Sequence, residues 1–288
     1  MTVQVPAVVT TEWIAARLGA PAIRVVDGSW YLPGTGRDAA TEYPAGHIPG
    51  AVFFDMDASS DPDTPLPHML PAADRFAERM ASLGLRDTDH IVVYDGSGQN
   101  LSAPRVWWMF RAFGHERVSV LDGGIGKWRS EHRPIEQGIV TLPRGSFTAR
   151  LNREAVRDLA SVGANIDRAV EQLVDTRSAG RFAGVEPEPR PGLRGGHVPG
   201  SLNLPFTDLV GPDGTMLPPA ELRCRLVEAG IDLGRPVVAT CGSGTSACAL
   251  VLSLYLIGHT QTAVYDGAWS EWGARADTPV EVQHIPKG

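Results

Sequence analysis

The chain contains two copies of one sequence pattern, and this duplication restricts its fold more than any other feature. Three segments recur in the same order. They are GHIPGA at 46–51 and GHVPGS at 196–201, YDGSG at 94–98 and TCGSG at 240–244, and VLDG at 120–123 and VYDG at 264–267. The offset between matched segments drifts from 150 to 146 to 144 residues. Ordered matches with a drifting offset indicate a tandem duplication with small loop insertions.

Each copy alternates strand-like and helix-like segments. Short strand signals at 23–27 and 172–175 are followed by β-rich runs at 91–94 and 236–240, and then by apolar helical stretches at 106–113 and 247–257. Such alternation predicts an α/β domain in which helices flank a mostly parallel sheet. Pro134, Gly138, Pro143 and Gly145 mark the connection. We therefore predict an N-terminal domain over residues 1–137, a linker over 138–150 and a C-terminal domain over 151–288.

Length and composition exclude several classes of protein. A chain of 288 residues, 43% hydrophobic and 20% charged, suits two soluble globular domains. Its formal net charge of −7 gives no general attraction to nucleic acid. The longest apolar run, 247–257, is too short to span a membrane, and residues 1–10 do not resemble a signal peptide. We expect a cytoplasmic protein with neither a nucleic-acid nor a membrane partner.

The three cysteines occupy different contexts. They are odd in number and form no CxxC pair, which argues against disulfides and against a zinc site. Cys224 lies in a helix-like segment in which Leu222, Leu226 and Val227 recur at helical spacing, and Cys248 lies in the next apolar helix. Packing roles are predicted for both. Cys241 instead begins a loop.

The loop from Cys241 to Ser246 joins an apolar strand to a helix and has the composition of an anion cradle. Gly242 and Gly244 allow the backbone to curl closely, and Ser243, Thr245 and Ser246 supply hydroxyl groups. Backbone N–H groups at a helix start favour an anion, so this loop is expected to hold Cys241 as a thiolate or persulfide. A buried structural cysteine beside a tight turn is the alternative.

The first copy carries Asp95 at the position of Cys241, and Asp95 cannot hold a transferable sulfur atom. We therefore expect only the second copy to be catalytic, with the first forming a wall of the cleft between the domains. His47 and His197 occur in both copies, which favours a turn-stabilising role over catalysis. Asp122 and Asp266 are likewise repeated in Asp-Gly turns.

Over nearly its whole length the sequence resembles the tandem rhodanese-domain sulfurtransferases, and among them those that take sulfur from 3-mercaptopyruvate. Eight motifs carry this resemblance. They are DGSWYLP at 27–33, GRD at 36–38, HIPGA at 47–51, HMLP at 68–71, SAPRVWWMFRAFGH at 102–115, GRF at 180–182, EPEPR at 186–190 and CGSG at 241–244.

The resemblance implies that Cys241 carries sulfur and that Arg181 and Arg190 bind the carboxylate and carbonyl of mercaptopyruvate. The planar guanidinium group suits a carboxylate. No metal or organic cofactor is implied. Gly242, Gly244, Thr245 and Ser246 would complete the binding loop. The family usually has Val-Thr-Ala where this chain has Thr245-Ser246-Ala247.

The resemblance also implies a Ser-His-Asp relay of Ser243, His68 and Asp57 that moves protons while the C–S bond breaks. A hydrogen-bonded structural role for His68 is the alternative. The sulfur acceptor would be a thiol such as thioredoxin or a small thiol, or cyanide in an assay.

Three other functions remain open. Thiosulfate is an alternative donor on the same site. The resemblance implies basic residues immediately after the cysteine in enzymes that prefer this dianion, whereas this chain has Gly242 and Ser243. A cysteine phosphatase needs Cys-x5-Arg, whereas the sixth residue after Cys241 is Ala247. A non-enzymatic module would not be expected to retain Cys241 and both arginines.

Overall fold

The computed structural model describes residues 5–282 and divides them into two compact units. The first unit contains the chain up to Asp63, Leu70–Asn152 and Val210–Met216. The second contains Thr64–Met69, Arg153–Leu209 and the chain from Leu217 onward. Thr64–Met69, from the first half of the sequence, therefore belongs to the second unit, and Val210–Met216, from the second half, belongs to the first unit.

The first unit has a five-stranded parallel sheet in the order β1-β5-β4-β2-β3. Its elements in chain order are β1 (Val8–Val9), α1 (Thr11–Ala15), β2 (Ile23–Asp27), α2 (Ala39–Ala45), β3 (Val52–Phe53), α3 (Ala73–Ser82), β4 (His90–Tyr94), α4 (Ala103–Ala112), β5 (Val118–Leu121) and α5 (Gly124–Ser130).

The second unit repeats this arrangement, with the strand order β6-β10-β9-β7-β8, all parallel. Its elements are β6 (Val156–Arg157), α6 (Leu159–Arg168), β7 (Gln172–Asp175), α7 (Ala179–Ala183), β8 (Leu202–Asn203), α8 (Pro219–Glu228), β9 (Val237–Thr240), α9 (Ala247–Leu256), β10 (Thr262–Tyr265) and α10 (Ala268–Trp272). Short 3₁₀ helices cover Arg153–Ala155 and Phe206–Leu209.

The two sheets agree in strand order and in register. Val26 of β2 pairs with Val93 of β4, and the corresponding Val174 of β7 pairs with Ala239 of β9. This correspondence confirms the predicted α/β fold in two similar copies. The strand signals at 23–27 and 172–175 coincide with β2 and β7.

Two buried helices follow the central strands. Every residue of α4 except Arg111 is buried, and α9 is buried from Ala247 to Leu254. A helix that is buried all round has no polar face, which explains why α9 is almost uniformly apolar in sequence. In α4 the buried Arg105 is an exception, and its guanidinium group lies over the Trp108 ring. Among residues 5–282, no helix has both the length and the apolar character needed to cross a membrane.

The connection after α5 packs against the first unit. Phe147 stacks edge-on against Phe76 and Phe110, and the Gly145 N–H donates to the Ala81 carbonyl at 2.8 Å. Glu136 pairs with His47 through the backbone. The Pro- and Gly-rich stretch from 134 to 150 therefore forms part of the fold of the first copy.

The prediction for Cys224 was wrong in one respect. The residue lies in α8 as predicted, but it is exposed to solvent, as is Val227. Leu222 and Leu226 provide the buried face, and a residue two positions after Leu222 points to the opposite side of a helix. Cys248 is fully buried in α9, which agrees with its predicted packing role.

Candidate active site

Cys241 directly follows β9, and the loop that it begins is fixed by hydrogen bonds to the start of α10. The Cys241 carbonyl accepts from the Trp269 N–H at 2.9 Å. The Gly242 carbonyl accepts from the Ser270 N–H at 2.9 Å and from Ser270 Oγ at 2.6 Å. Cys241 itself is only 2% exposed. The loop therefore presents a thiol on a backbone that neighbouring elements hold in place.

The glycine positions of this loop serve different purposes. Gly244 adopts φ +77°, a left-handed conformation that glycine takes without strain. At Gly242 the constraint is space, because an added Cβ atom would lie 2.9 Å from Nη2 of Arg181. Gly242 thus allows the guanidinium group to approach the residue next to Cys241.

His68 lies within the second unit and contacts two hydroxyl groups of the loop. Its Nδ1 atom is 3.0 Å from Ser243 Oγ and 3.0 Å from Thr245 Oγ1. All three residues are buried. The lone pair of a neutral ring nitrogen accepts one such hydrogen bond well, so Ser243 and Thr245 compete for it when Nδ1 is unprotonated. The sequence predicted the Ser243 contact but not the Thr245 contact.

Asp57, the third predicted member of the relay, lies in the first unit. It is exposed and lines a cavity of about 270 Å³ with Ser29, Tyr31 and Arg37 among other residues. The contact of Asp57 with His68 stays a prediction.

Arg181 lies in α7, and Glu188 holds its guanidinium group. Nη2 of Arg181 donates to Glu188 Oε2 at 2.6 Å, and Nε donates to Oε1 at 3.2 Å. Arg190, the second predicted substrate-binding arginine, lies in the loop after α7 and is partly exposed. The structure thus brings Arg181 to the cysteine loop, while the role of Arg190 stays a prediction.

A buried ion-pair network that the sequence analysis missed lies behind Arg181. Arg177 pairs with Asp175 at 2.6 Å and with Glu188 at 2.6 Å, and it stacks over the Trp269 ring at 4.3 Å. Burial opposes the charge of Arg177, but Asp175 and Glu188 outweigh it and raise the pKa of the guanidinium group. The sequence contains the motif EPEPR at 186–190. The pairing of its Glu188 with Arg177 and Arg181 depends on how the loop folds back on α7.

Ser246 contacts the neighbouring strand. Its Oγ lies 3.1 Å from Thr176 Oγ1, and Thr176 also donates to the Thr240 carbonyl at 3.3 Å. The hydroxyl of Ser246 therefore ties the end of the loop to the residue after β7. Its predicted part in substrate binding stays a prediction.

The corresponding loop of the first unit is filled by its own carboxylate. Oδ2 of Asp95 accepts from the N–H groups of Ser102 and Ala103 at 2.9 and 2.8 Å, where α4 begins. Oδ1 accepts from the N–H of Ser97 at 2.8 Å and from its hydroxyl at 2.5 Å. A helix start that favours an anion is thus occupied by a side chain of the chain itself.

The repeated histidines stabilise turns, as predicted. Nδ1 of His47 lies 2.9 Å from the Tyr43 carbonyl, and Nδ1 of His197 lies 2.8 Å from the Phe182 carbonyl. Each ring stacks on the aromatic ring of the same partner residue. Both copies contain these histidine contacts, so the histidines do not distinguish the copies. The loops differ at Asp95 in the first copy and Cys241 in the second.

Comparison with known proteins identifies the architecture. The rhodanese-like domain family matches the sequence twice, at residues 10–131 and 158–275. The chain belongs to the rhodanese family. Its two copies are therefore two rhodanese-like domains, as the resemblance implied, and Cys241 begins the loop of the second.

Individual relatives match this rhodanese-family chain over nearly its full length. A 3-mercaptopyruvate sulfurtransferase of Rattus norvegicus is 47% identical over 275 residues, covering 94% of this chain and 93% of the relative. A thiosulfate sulfurtransferase of Mus musculus is 43% identical, covering 98% and 97%. The crystal structure of SseA from Escherichia coli, a 3-mercaptopyruvate sulfotransferase with the rhodanese fold, superposes with a TM-score of 0.85 at 41% identity, covering 93% and 100%.

We predict that Asp95→Asn destabilises the first unit. Each carboxylate oxygen of Asp95 accepts two hydrogen bonds. The amide of asparagine has only one acceptor oxygen, so its NH2 group would face two N–H or O–H donors at the other position. The expected loss is about 1–3 kcal/mol in the free energy of unfolding, measured by urea titration. Asp38→Asn is the control, because Asp38 is an exposed N-cap and asparagine caps equally well. Equal stability of the two variants would contradict the assignment.

Proposed function

We propose that this protein transfers sulfur from 3-mercaptopyruvate to a thiol through a persulfide on Cys241. The observation that carries the proposal is the arrangement around one buried cysteine. A guanidinium group lies against the next residue, Gly242, and a histidine contacts Ser243 of the same loop. The 47% identity to a 3-mercaptopyruvate sulfurtransferase supports this choice of donor.

The first half-reaction moves sulfur onto the enzyme. Arg181, with Arg190, binds the carboxylate and carbonyl of the donor through charge-assisted hydrogen bonds. The Cys241 thiolate attacks the donor sulfur, the S–S bond forms and the C–S bond breaks. The electron pair of the C–S bond passes to the carbon fragment, which becomes the enolate of pyruvate. A proton supplied through Ser243 and His68 converts the enolate to pyruvate.

The second half-reaction releases the sulfur. A thiolate acceptor attacks the outer sulfur of the Cys241 persulfide, forms a new persulfide and leaves Cys241 as a thiolate. We propose thioredoxin or a small thiol as the acceptor and the cytoplasm as the compartment. The three free cysteines suit a reducing environment.

Thiosulfate is a second candidate donor for the same cysteine. The 43% identity to a thiosulfate sulfurtransferase favours it. The residues after Cys241, Gly242 and Ser243, are uncharged and so add no attraction for a dianion. A side-by-side measurement of kcat/KM for the two donors decides between them, and a preference for 3-mercaptopyruvate is expected.

We predict that Cys241→Ser abolishes sulfur transfer, because it removes the nucleophile. Incubation of the parent protein with 3-mercaptopyruvate should add the mass of one sulfur atom, and peptide mass spectrometry should place it on Cys241. Cys224→Ser and Cys248→Ala should retain most of the activity, since one side chain is exposed on α8 and the other packs in α9. Labelling of Cys248 in place of Cys241 would overturn the assignment.

Arg181→Ala and Arg190→Ala are each expected to lower kcat/KM for 3-mercaptopyruvate by roughly 10- to 100-fold. Each removes a hydrogen bond between charged groups, which typically contributes about 1.5–3 kcal/mol. Arg225→Ala serves as the control, because Arg225 is exposed on α8. Steady-state kinetics test the prediction, and full activity in both arginine variants would refute the proposed donor contacts.

The two hydroxyls that share His68 should partly replace each other. Ser243→Ala and Thr245→Val are each expected to lower kcat by less than about tenfold, because one hydroxyl still contacts Nδ1. The double variant should lose about 100-fold or more, in the range of a lost proton-transfer group. A double-mutant cycle measures this non-additivity. A Ser243→Ala variant as inactive as the double variant would show that Thr245 gives no support.

A further inference from the structure

Four alternating charges form a continuous chain of ion pairs that ends beside the cysteine loop. In order they are Asp175, Arg177, Glu188 and Arg181, and each of the three links measures 2.6 Å. The first three side chains are buried to at least 98%, and that of Arg181 is 14% exposed. Arg181 is therefore the end that solvent and a donor molecule can reach.

Glu188 joins the fixed part of this chain to Arg181. Arg177 is anchored by Asp175, by the Gly196 carbonyl at 2.8 Å and by the Trp269 ring. Oε1 of Glu188 accepts from Arg177, and both of its oxygen atoms accept from Arg181. Because two hydrogen bonds hold the Nε and Nη2 atoms, the guanidinium plane of Arg181 cannot rotate without losing one of them.

Glu188 also sets the charge of the chain. With Glu188 ionised, two carboxylates balance two guanidinium groups. Without its charge, the chain carries one net positive charge close to Gly242. Because the Coulomb energy is proportional to the product of the two charges, such a change acts more strongly on a dianion than on a monoanion.

We propose that Glu188 is a positioning and specificity-determining residue, which orients Arg181 toward the donor and cancels one positive charge so that a monoanionic donor is preferred over a dianionic one. This inference rests on the proposed function. Glu188 acts through Arg181 and does not touch the reacting atoms.

The test compares Glu188→Gln with Glu188→Asp, using 3-mercaptopyruvate and thiosulfate as donors. The glutamine keeps the shape of the side chain but removes its charge. It should lower kcat/KM for 3-mercaptopyruvate about tenfold, mainly through KM, and raise kcat/KM for thiosulfate, with a gain that shrinks at high salt. The aspartate keeps the charge but is too short to bridge both arginines. It should lose 3-mercaptopyruvate activity without any gain for thiosulfate.

Glu186→Gln is the matched control, because it changes the net charge equally two residues away. Glu186 is exposed and accepts a hydrogen bond from Ser178 Oγ. Its variant should keep the parent ratio of kcat/KM values for the two donors. Thermal unfolding of each variant checks that it is folded.

The outcomes separate this inference from the proposed function. A parent protein that takes no sulfur from 3-mercaptopyruvate would refute the proposed donor. If the parent takes sulfur from 3-mercaptopyruvate and a folded Glu188→Gln variant keeps the parent ratio of kcat/KM values for the two donors, the role of Glu188 is refuted. If Glu188→Gln does not fold, parent-like kinetics of Glu188→Asp with 3-mercaptopyruvate would refute the positioning role.

Discussion

The junction between a central parallel strand and the buried helix that follows it needs an acceptor for the backbone N–H groups of the helix, and the two copies differ at this position. The backbone N–H groups in the first turn of a helix have no hydrogen-bond partners inside the helix. Burying them without another acceptor costs free energy of folding. In the first copy the carboxylate of Asp95 accepts from four donors at this junction. In the second copy the same position belongs to Cys241. The carboxylate of Asp95 accepts these hydrogen bonds itself. A thiol has no such pair of oxygen acceptors, and in the proposed mechanism a sulfur anion on Cys241 takes their place.

The parts of the fold that depend on neighbouring residues in the sequence could be predicted. The spacing of apolar residues and the turns between strands and helices are local in sequence. They were sufficient to predict the ranges of β2 and β7 and the existence of α4, α8 and α9. The solvent-facing position of Cys224 could have been derived from the spacing of Leu222 and Leu226 on the helix. The Glu188–Arg181 pair could not, because it depends on a loop that folds back on α7.

The exchange of short segments between the units explains how His68 meets a loop that lies 175 residues further along the chain. The exchange is reciprocal. Residues 68–71 read HMLP and residues 215–218 read TMLP, and Val210–Met216 belongs to the first unit just as Thr64–Met69 belongs to the second. In the first unit, Asn100 Nδ2 donates to the Gly214 carbonyl at 2.9 Å, beside the loop of Asp95. The repeated Met-Leu-Pro is visible in the sequence, but it does not show that each segment joins the unit formed mainly by the other half.

The proposed pair of Cys241 and His68 has no counterpart in the first unit. The mechanism proposed above needs a nucleophile in the loop and a proton-transferring residue on the exchanged segment. The second unit has both, in Cys241 and His68. The first unit has Asp95 in place of the cysteine, and the segment that it receives carries Thr215 where its counterpart carries His68. A cysteine placed at position 95 would therefore supply only one of the two groups, while also removing the carboxylate that accepts hydrogen bonds from the start of α4.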